Sequence, residues 1–258
     1  MTLVRLTILG CSGSIPGPGK AASGYLLEAE GFLLGVELGN GTLAELQTRH
    51  DPFDLGALVL SHLHPDHCAD FGALTVLRRY HPAPPFDVLA RRLPVHAPEN
   101  APARLAKAYA PNDVELAETD LSDVYDFHAL GAAPVRIGPF ELTAVAVDHP
   151  TEAFGLRISH GGRTLAYTGD TGPCPQLDEL ARGVDVLLSE ATWTDAPERP
   201  PGVHLSGRQA GELASRAGAG QLLLTHVAPW SDAAAILAEA KAAFPGAVLV
   251  EQGATYEL

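Results

Sequence analysis

Hydrophobic positions along this 258-residue chain fall into short alternating or wholly apolar runs, separated by glycine- and proline-rich turns. Residues 3–9 alternate and then meet Gly-Cys-Ser-Gly-Ser-Ile-Pro-Gly-Pro-Gly, which must end the strand. Residues 23–38 read as two strands hinged at Gly31, and 42–49 have helical spacing with Leu43 and Leu46 on one face. Residues 57–61 have the unbroken apolar character of a buried strand and lead directly into His62. A helix is predicted over 68–80, with Phe71, Leu74 and Leu77 inward. Residues 81–130 are less regular, with a short strand near Val95 and a helix over 102–109.

Strands return at 140–147, 154–159 and 164–168, followed by a helix over 175–182 with proline near its first turn. A buried strand at 185–189 precedes a helix over 207–217, for which Ser206 is a candidate cap. A strand at 221–225, a helix over 233–244 and strands at Val248 and Thr255 complete the pattern. The strand clusters form two halves with no linker between them. The expected architecture is α/β: a four-layer αββα sandwich of two mixed β-sheets, one domain over residues 1–258.

Composition narrows the function. Lys plus Arg number 17 and Asp plus Glu 31, a net charge of −14, which argues against nucleic-acid or membrane-surface partners. No stretch approaches the run of about 20 apolar residues that spans a bilayer, and the opening residues lack a signal peptide's layout. Three widely spaced cysteines do not make a disulfide framework, so a soluble cytoplasmic protein is expected. Histidine numbers 11 in a turn-rich chain, which suggests metal ligands on loops. Residues 78–107 carry six basic and two acidic side chains, whereas 113–126 carry six acidic and no basic ones. These segments are either solvated faces that pair within a monomer or across a dimer, or a basic rim that attracts phosphate.

The chemistry concentrates at strand ends. His62-Leu63-His64-Pro65-Asp66-His67 places three imidazoles and a carboxylate within six residues after a buried strand, a donor set suited to zinc and its first-row neighbours. Asp148-His149, Gly169-Asp170 and Thr225-His226 each follow an apolar strand, where sheet edges gather active sites. Glu190 ends another strand, and His204-Leu205-Ser206 precedes a helix. Ser12, Gly13 and Ser14 either offer backbone N–H groups to a substrate or form a plain tight turn. Cys68 reads as a buried thiol at a helix start and Arg157 as a solvated or paired arginine.

These residues, in this order, resemble the metallo-β-lactamase superfamily of dinuclear hydrolases. The resemblance implies that His62, His64 and His149 hold one divalent metal, that Asp66, His67 and His226 hold a second, and that Asp170 bridges them. Zinc is the first candidate, with manganese or iron as alternatives. Two divalent cations against two carboxylates leave about +2, a small positive well for an anionic substrate in an acidic protein. Ser189-Glu190-Ala191-Thr192-Trp193 with His204-Leu205-Ser206 resembles the phosphodiesterase branch that includes the tRNA 3′-processing endonuclease RNase Z. Arg79-Tyr80-His81-Pro82, His149-Pro150-Thr151-Glu152, Thr168-Gly169-Asp170-Thr171-Gly172 and Pro229-Trp230 narrow the resemblance to the actinobacterial cyclic-nucleotide phosphodiesterases of the atypical class II type. That resemblance implies hydrolysis of a small anionic phosphodiester, 3′,5′-cyclic AMP first, by a metal-bridging hydroxide, in a homodimer. Asp66 would orient the hydroxide, His204 would contact the phosphate or protonate the leaving oxygen, and Glu190 would orient His204. The alternatives are tRNA 3′-end cleavage, a thioesterase or lactonase on the same metals, and a non-catalytic module.

Overall fold

A computed structural model describes residues 3–258; Met1 and Thr2, the first two positions of the expected domain, lie outside the described residues. In chain order the elements are β1 (Arg5–Gly10), β2 (Gly24–Ala29), β3 (Phe32–Val36), α1 (Thr42–Gln47), β4 (Leu55–Val59), α2 (Pro65–Cys68), α3 (Phe71–Tyr80) and β5 (Leu93–Ala97). Then come α4 (Ala101–Tyr109), α5 (Asp113–Glu118), β6 (Tyr125–Ala129), β7 (Val135–Ile137), β8 (Phe140–Ala146), β9 (Phe154–His160) and β10 (Arg163–Tyr167). The last are α6 (Gln176–Leu180), β11 (Val186–Glu190), α7 (Gly207–Ala217), β12 (Gln221–Thr225), α8 (Ala233–Ala243), β13 (Val248–Leu249) and β14 (Thr255–Glu257).

The strands form two seven-stranded sheets, ordered β14-β1-β2-β3-β4-β5-β6 and β13-β12-β11-β10-β9-β8-β7. Each begins with antiparallel pairings, from β14 to β3 in one and from β7 to β10 in the other, and then turns parallel. Both sheets are therefore mixed, as expected from the resemblance.

Side-chain alternation separates three apolar layers. Leu6, Ile8, Leu27, Leu34 and Val59 point inward from the first sheet to meet Leu142, Leu156, Tyr167, Leu188 and Leu223 of the second. Their neighbours Leu26, Leu33 and Leu58 point outward against Leu43 and Leu46 of α1, Phe71 and Leu74 of α3, and Leu105 of α4. Leu187, Leu222 and Leu224 do the same against Leu180 of α6, Leu213 of α7, and Ile236 and Ala240 of α8. The result is the αββα sandwich. Among the described residues no helix is long and apolar enough to cross a membrane.

Several elements depart from the pattern-based expectation. The helix expected over 68–80 is broken into α2 and α3, because the Leu43 N–H donates to the Asp70 carboxylate at 2.9 Å and the Asp70 N–H to the Leu38 carbonyl at 3.1 Å. Cys68 thus ends a short helix instead of starting one; its thiol lies 3.3 Å from the His64 carbonyl, and burial pushes it up to about 11. The helix expected over 175–182 is the shorter α6, with Pro175 at its N-cap. Arg157 closes that helix by donating to the carbonyls of Leu180 and Arg182 at 2.8 and 3.1 Å, so it is a paired arginine. Ser206 caps α7 as expected, in a reciprocal pair with Gln209.

The segments of opposite charge pair within the chain. Arg79 holds Asp123 with two bonds of 2.8 and 2.9 Å, Arg92 donates to the Ser122 carbonyl at 3.1 Å, and the buried Arg78 donates to the Val124 and Arg91 carbonyls. Three of the six basic side chains are engaged in this way, which supports the reading of segments that pair within the chain. Elements α5 and β6 went unread in this stretch, as did β7 just beyond it. The β6 sequence Tyr-Asp-Phe-His-Ala lies on an exposed sheet edge and takes its pairing from β5, so its own pattern is weak.

Candidate metal centre

Seven of the residues singled out in the sequence converge at the carboxyl ends of the strands. The donor atoms of His62, His64 and His149 form one group and those of Asp66, His67, Asp170 and His226 another, the atoms of each lying within 4.8 Å of one another. In the first group, the Ser61 hydroxyl 3.0 Å from His62 Nδ1 turns Nε2 inward, and His149 Nδ1–H donates to the Val203 carbonyl at 3.1 Å. His149 Nε2 then faces His64 Nδ1 at 3.1 Å. In the second, His226 Nε2 lies 3.1 Å from Asp66 Oδ2 and 3.3 Å from His67 Nε2. Asp170 reaches both groups: Oδ1 is 3.3 Å from His67 Nε2, and Oδ2 is 3.3 Å from His226 Nε2 and 3.8 Å from His62 Nε2.

This arrangement fits divalent cations on the chemistry of its donors. His62 Nε2 and Asp170 Oδ1 are buried and have no hydrogen-bond partner among the described residues, although buried polar atoms normally have one. Ring nitrogens face each other at 3.1 and 3.3 Å, where two lone pairs repel unless a proton or a cation lies between them. Asp66 and Asp170 are buried, and among the described residues their ion-pair partners are imidazoles. A buried carboxylate needs compensating charge.

The electrostatics agree. Burial opposes ionisation of Asp66, but His226 and His67 hold its carboxyl well below the usual carboxylate range. Burial likewise opposes ionisation of Asp170, yet His226 and His67 keep it far below. Burial lowers His62, His64 and His149, which favours the neutral imidazole that ligates metal. His67 differs: burial disfavours its charge, but Asp170 and Glu37 raise it, so a cation binding there must displace its proton.

A second ring of residues fixes the donors. Glu37, at the end of β3, accepts the Ser61 N–H at 3.1 to 3.2 Å and places its carboxylate 3.4 Å from His67 Nδ1. The Thr192 hydroxyl donates to Glu190 Oε2 at 2.9 Å and lies 2.9 Å from His226 Nδ1, so it links the two. Sequence reading missed Glu37, Ser61 and Thr192. Glu37 was accessible in principle, since it ends the apolar run 32–36 as the other site residues end theirs. Glu37, His62 and His67 also lie close enough to form a donor group, as do Glu190, His204 and His226. Both carboxylates accept N–H or O–H donors that orient them behind the imidazoles.

His204 stands beside the second group. Its Nδ1–H donates to Glu190 Oε1 at 3.0 Å and lies 3.8 Å from Asp170 Oδ2. Glu190 is fully buried and also accepts the Thr171 N–H at 2.7 Å. Burial works against an imidazolium at His204, but Glu190 prevails and raises it to about 9. Gly172 makes room for this arrangement: a Cβ there would lie 2.5 Å from the Gly202 Cα, so the loop carrying His204 rests directly on the Asp170 turn.

The Ser12 to Ser14 turn differs from expectation. The Ser12 N–H donates to the Ala21 carbonyl and the Gly13 N–H to the Val227 carbonyl, so neither is available to a substrate. Ser14 N lies 3.4 Å from His226 Nε2. The turn's role is support: a Cβ on Gly13 would come within 2.3 Å of the His226 carbonyl oxygen. Backbone strain marks the same region. Ser14, Glu37 and His226 have φ of 65°, 63° and 58°, a conformation that non-glycine residues adopt chiefly where surrounding structure over-determines it.

Residues 37–227 match the profile of the family described as the beta-lactamase superfamily domain, and the chain belongs to that superfamily. It is a metal-dependent hydrolase, and the family implies divalent metal ions at the histidine and aspartate cluster. An uncharacterised protein of Mycobacterium tuberculosis is 48% identical over 248 residues, covering 95% of this chain and 88% of its own. The crystal structure of the metallo-beta-lactamase fold protein YhfI from Bacillus subtilis superposes with a TM-score of 0.85 at 27% identity, covering 100% of both chains. Ribonuclease Z of Mycolicibacterium gilvum is 30% identical over 255 residues, covering 88% of this chain and 85% of its own, which supports the RNase Z-like branch.

Proposed function

We propose that the protein is a phosphodiesterase that hydrolyses 3′,5′-cyclic nucleotides, cyclic AMP first among them. The observation that carries this reading is the His204–Glu190 pair, a proton donor held by a buried carboxylate at the rim of the donor cluster. His62, His64 and His149 would hold one divalent cation, Asp66, His67 and His226 a second, with Asp170 between them, and zinc suits this nitrogen and oxygen set. When bound, such cations stabilise charge on a phosphoryl group and lower the pKa of water.

The chain's own residues do the rest. Asp66 and Asp170 keep their carboxylates ionised and supply fixed negative charge. His204, whose imidazolium the buried Glu190 favours, donates its Nε2 proton to the departing oxygen, while Nδ1–H stays on Glu190. The balance is simple. Water's oxygen bonds to phosphorus, the P–O3′ bond breaks with its electron pair going to O3′, and O3′ takes a proton. One water proton restores the proton that His204 gave up, the other is released, and a 5′-monophosphate remains.

An acid that protonates the leaving group matters less when that group leaves easily. The test compares His204→Ala on cyclic AMP and on bis(4-nitrophenyl) phosphate. Loss of about 10²- to 10⁴-fold on the first and distinctly less on the second is expected. Equal losses on both would refute the proton-donor role, and cleavage of precursor tRNA without cyclic AMP turnover would favour the endonuclease reading.

A further inference from the structure

Beside His204 lies a cavity of about 490 Å³ that the chemistry above does not use. It is bounded by the 193–204 loop and the start of α7, and its size falls within the roughly 300–1,000 Å³ of small-ligand sites. Four prolines, Pro173, Pro197, Pro200 and Pro201, give it rigid apolar walls, and His204 forms part of its rim.

Its polar element is Arg199. The guanidinium donates to Gln209 Oε1 at 3.1 Å and to Asp195 Oδ1, and its side chain is 18% exposed. Both partners are themselves fixed. Gln209 belongs to the capping pair of α7, and Asp195 receives Arg208 at 3.0 Å while its own N–H donates to Glu239 at 2.9 to 3.0 Å. Held along its edge in this way, the guanidinium has a fixed plane, and among the described residues no aromatic ring stacks on it. Asp195 already neutralises its charge, so it is a weak attractant for a second anion. A flat π-system can still stack on it.

We propose that this cavity is the subsite for the nucleoside part of the substrate, with the nucleobase stacked on the Arg199 guanidinium and the ribose toward His204. The inference rests on the phosphodiesterase reading and extends it. His204 Nε2 has no protein partner among the described residues, and a group leaving from its side has this cavity as its nearest room. The rigid walls and pre-set guanidinium lower the ordering cost of binding.

Binding can be tested without turnover. Isothermal titration of the metal-loaded protein with AMP and with inorganic phosphate gives a ratio of affinities that isolates the nucleoside's contribution. In the wild type AMP is expected to bind much the tighter, and Arg199→Ala is expected to reduce that preference roughly tenfold. Arg199→Lys, which keeps the charge but loses the plane, should reduce it similarly. A wild type without preference for AMP would overturn the proposal, as would either variant with an undiminished preference. Turnover of bis(4-nitrophenyl) phosphate by the same wild-type preparation reports separately on the parent reading. An inactive protein that still prefers AMP would sink the phosphodiesterase assignment and leave the subsite standing.

Discussion

Glu190→Gln isolates the electrostatic role of Glu190 from its structural one. The amide keeps the carboxylate's shape, and its oxygen can still accept from Thr171 N–H and His204 Nδ1–H, while its NH₂ meets the Thr192 hydroxyl, which can turn to accept. What is lost is the largest of the charges that, with Asp170 and Asp66 and against burial, raise His204 to about 9, and the working assumption is a return to near its ordinary 6.5. At pH 8 a group at about 9 is about 90% protonated and one near 6.5 about 3%, so the acid-dependent rate should fall about 30-fold. At pH 6 both are mostly protonated, and the loss should be within about twofold. The variant's defect is therefore expected to be large above neutrality and nearly absent below it. Bound cations repel an imidazolium and would move both values down together, shifting the window without closing it. The assay is kcat for cyclic AMP from pH 5.5 to 9, with metal content measured on the same samples. A loss that is uniform across pH would refute the reasoning.

Further outcomes follow from the same geometry. Asp170→Ala should abolish turnover and lower metal content by elemental analysis, whereas His204→Ala should retain its metal; equal metal loss in both would remove the role given to His204. Glu37→Gln, which takes the charge from behind His67, should weaken metal affinity about 10- to 100-fold in competition with a chelating dye. Gly13→Ala, whose Cβ would meet the His226 carbonyl at 2.3 Å, should cost about 1–3 kcal/mol in a denaturant melt, and an unchanged midpoint would show that the turn yields easily.

The site was legible because each ligand type stood directly after an apolar strand. His62, His149, Asp170, Glu190 and His226 follow or end β4, β8, β10, β11 and β12, and strand ends are local enough to read from pattern. The supporting groups were harder. Ser61 and Thr192 act through one hydroxyl each, and nothing in their neighbourhood separates them from other buried hydroxyls. The availability of N–H groups at Ser12 and Gly13 depends on Ala21 and Val227, the second of which is remote in sequence. In the 81–130 stretch β5 and α4 stand where expected, and what went unread there did so for the same reason. The edge strand β6 pairs with β5 across two intervening helices; outside that stretch, the break between α2 and α3 is set by Asp70 reaching α1.

The most direct test of the central claim is hydrolysis of 3′,5′-cyclic AMP by the zinc-loaded protein, followed by chromatography of the product, with Asp66→Ala purified identically beside it. Formation of 5′-AMP that disappears in the variant is expected. Metal-loaded protein that leaves cyclic AMP intact, or a variant that hydrolyses it at the wild-type rate, would contradict the account.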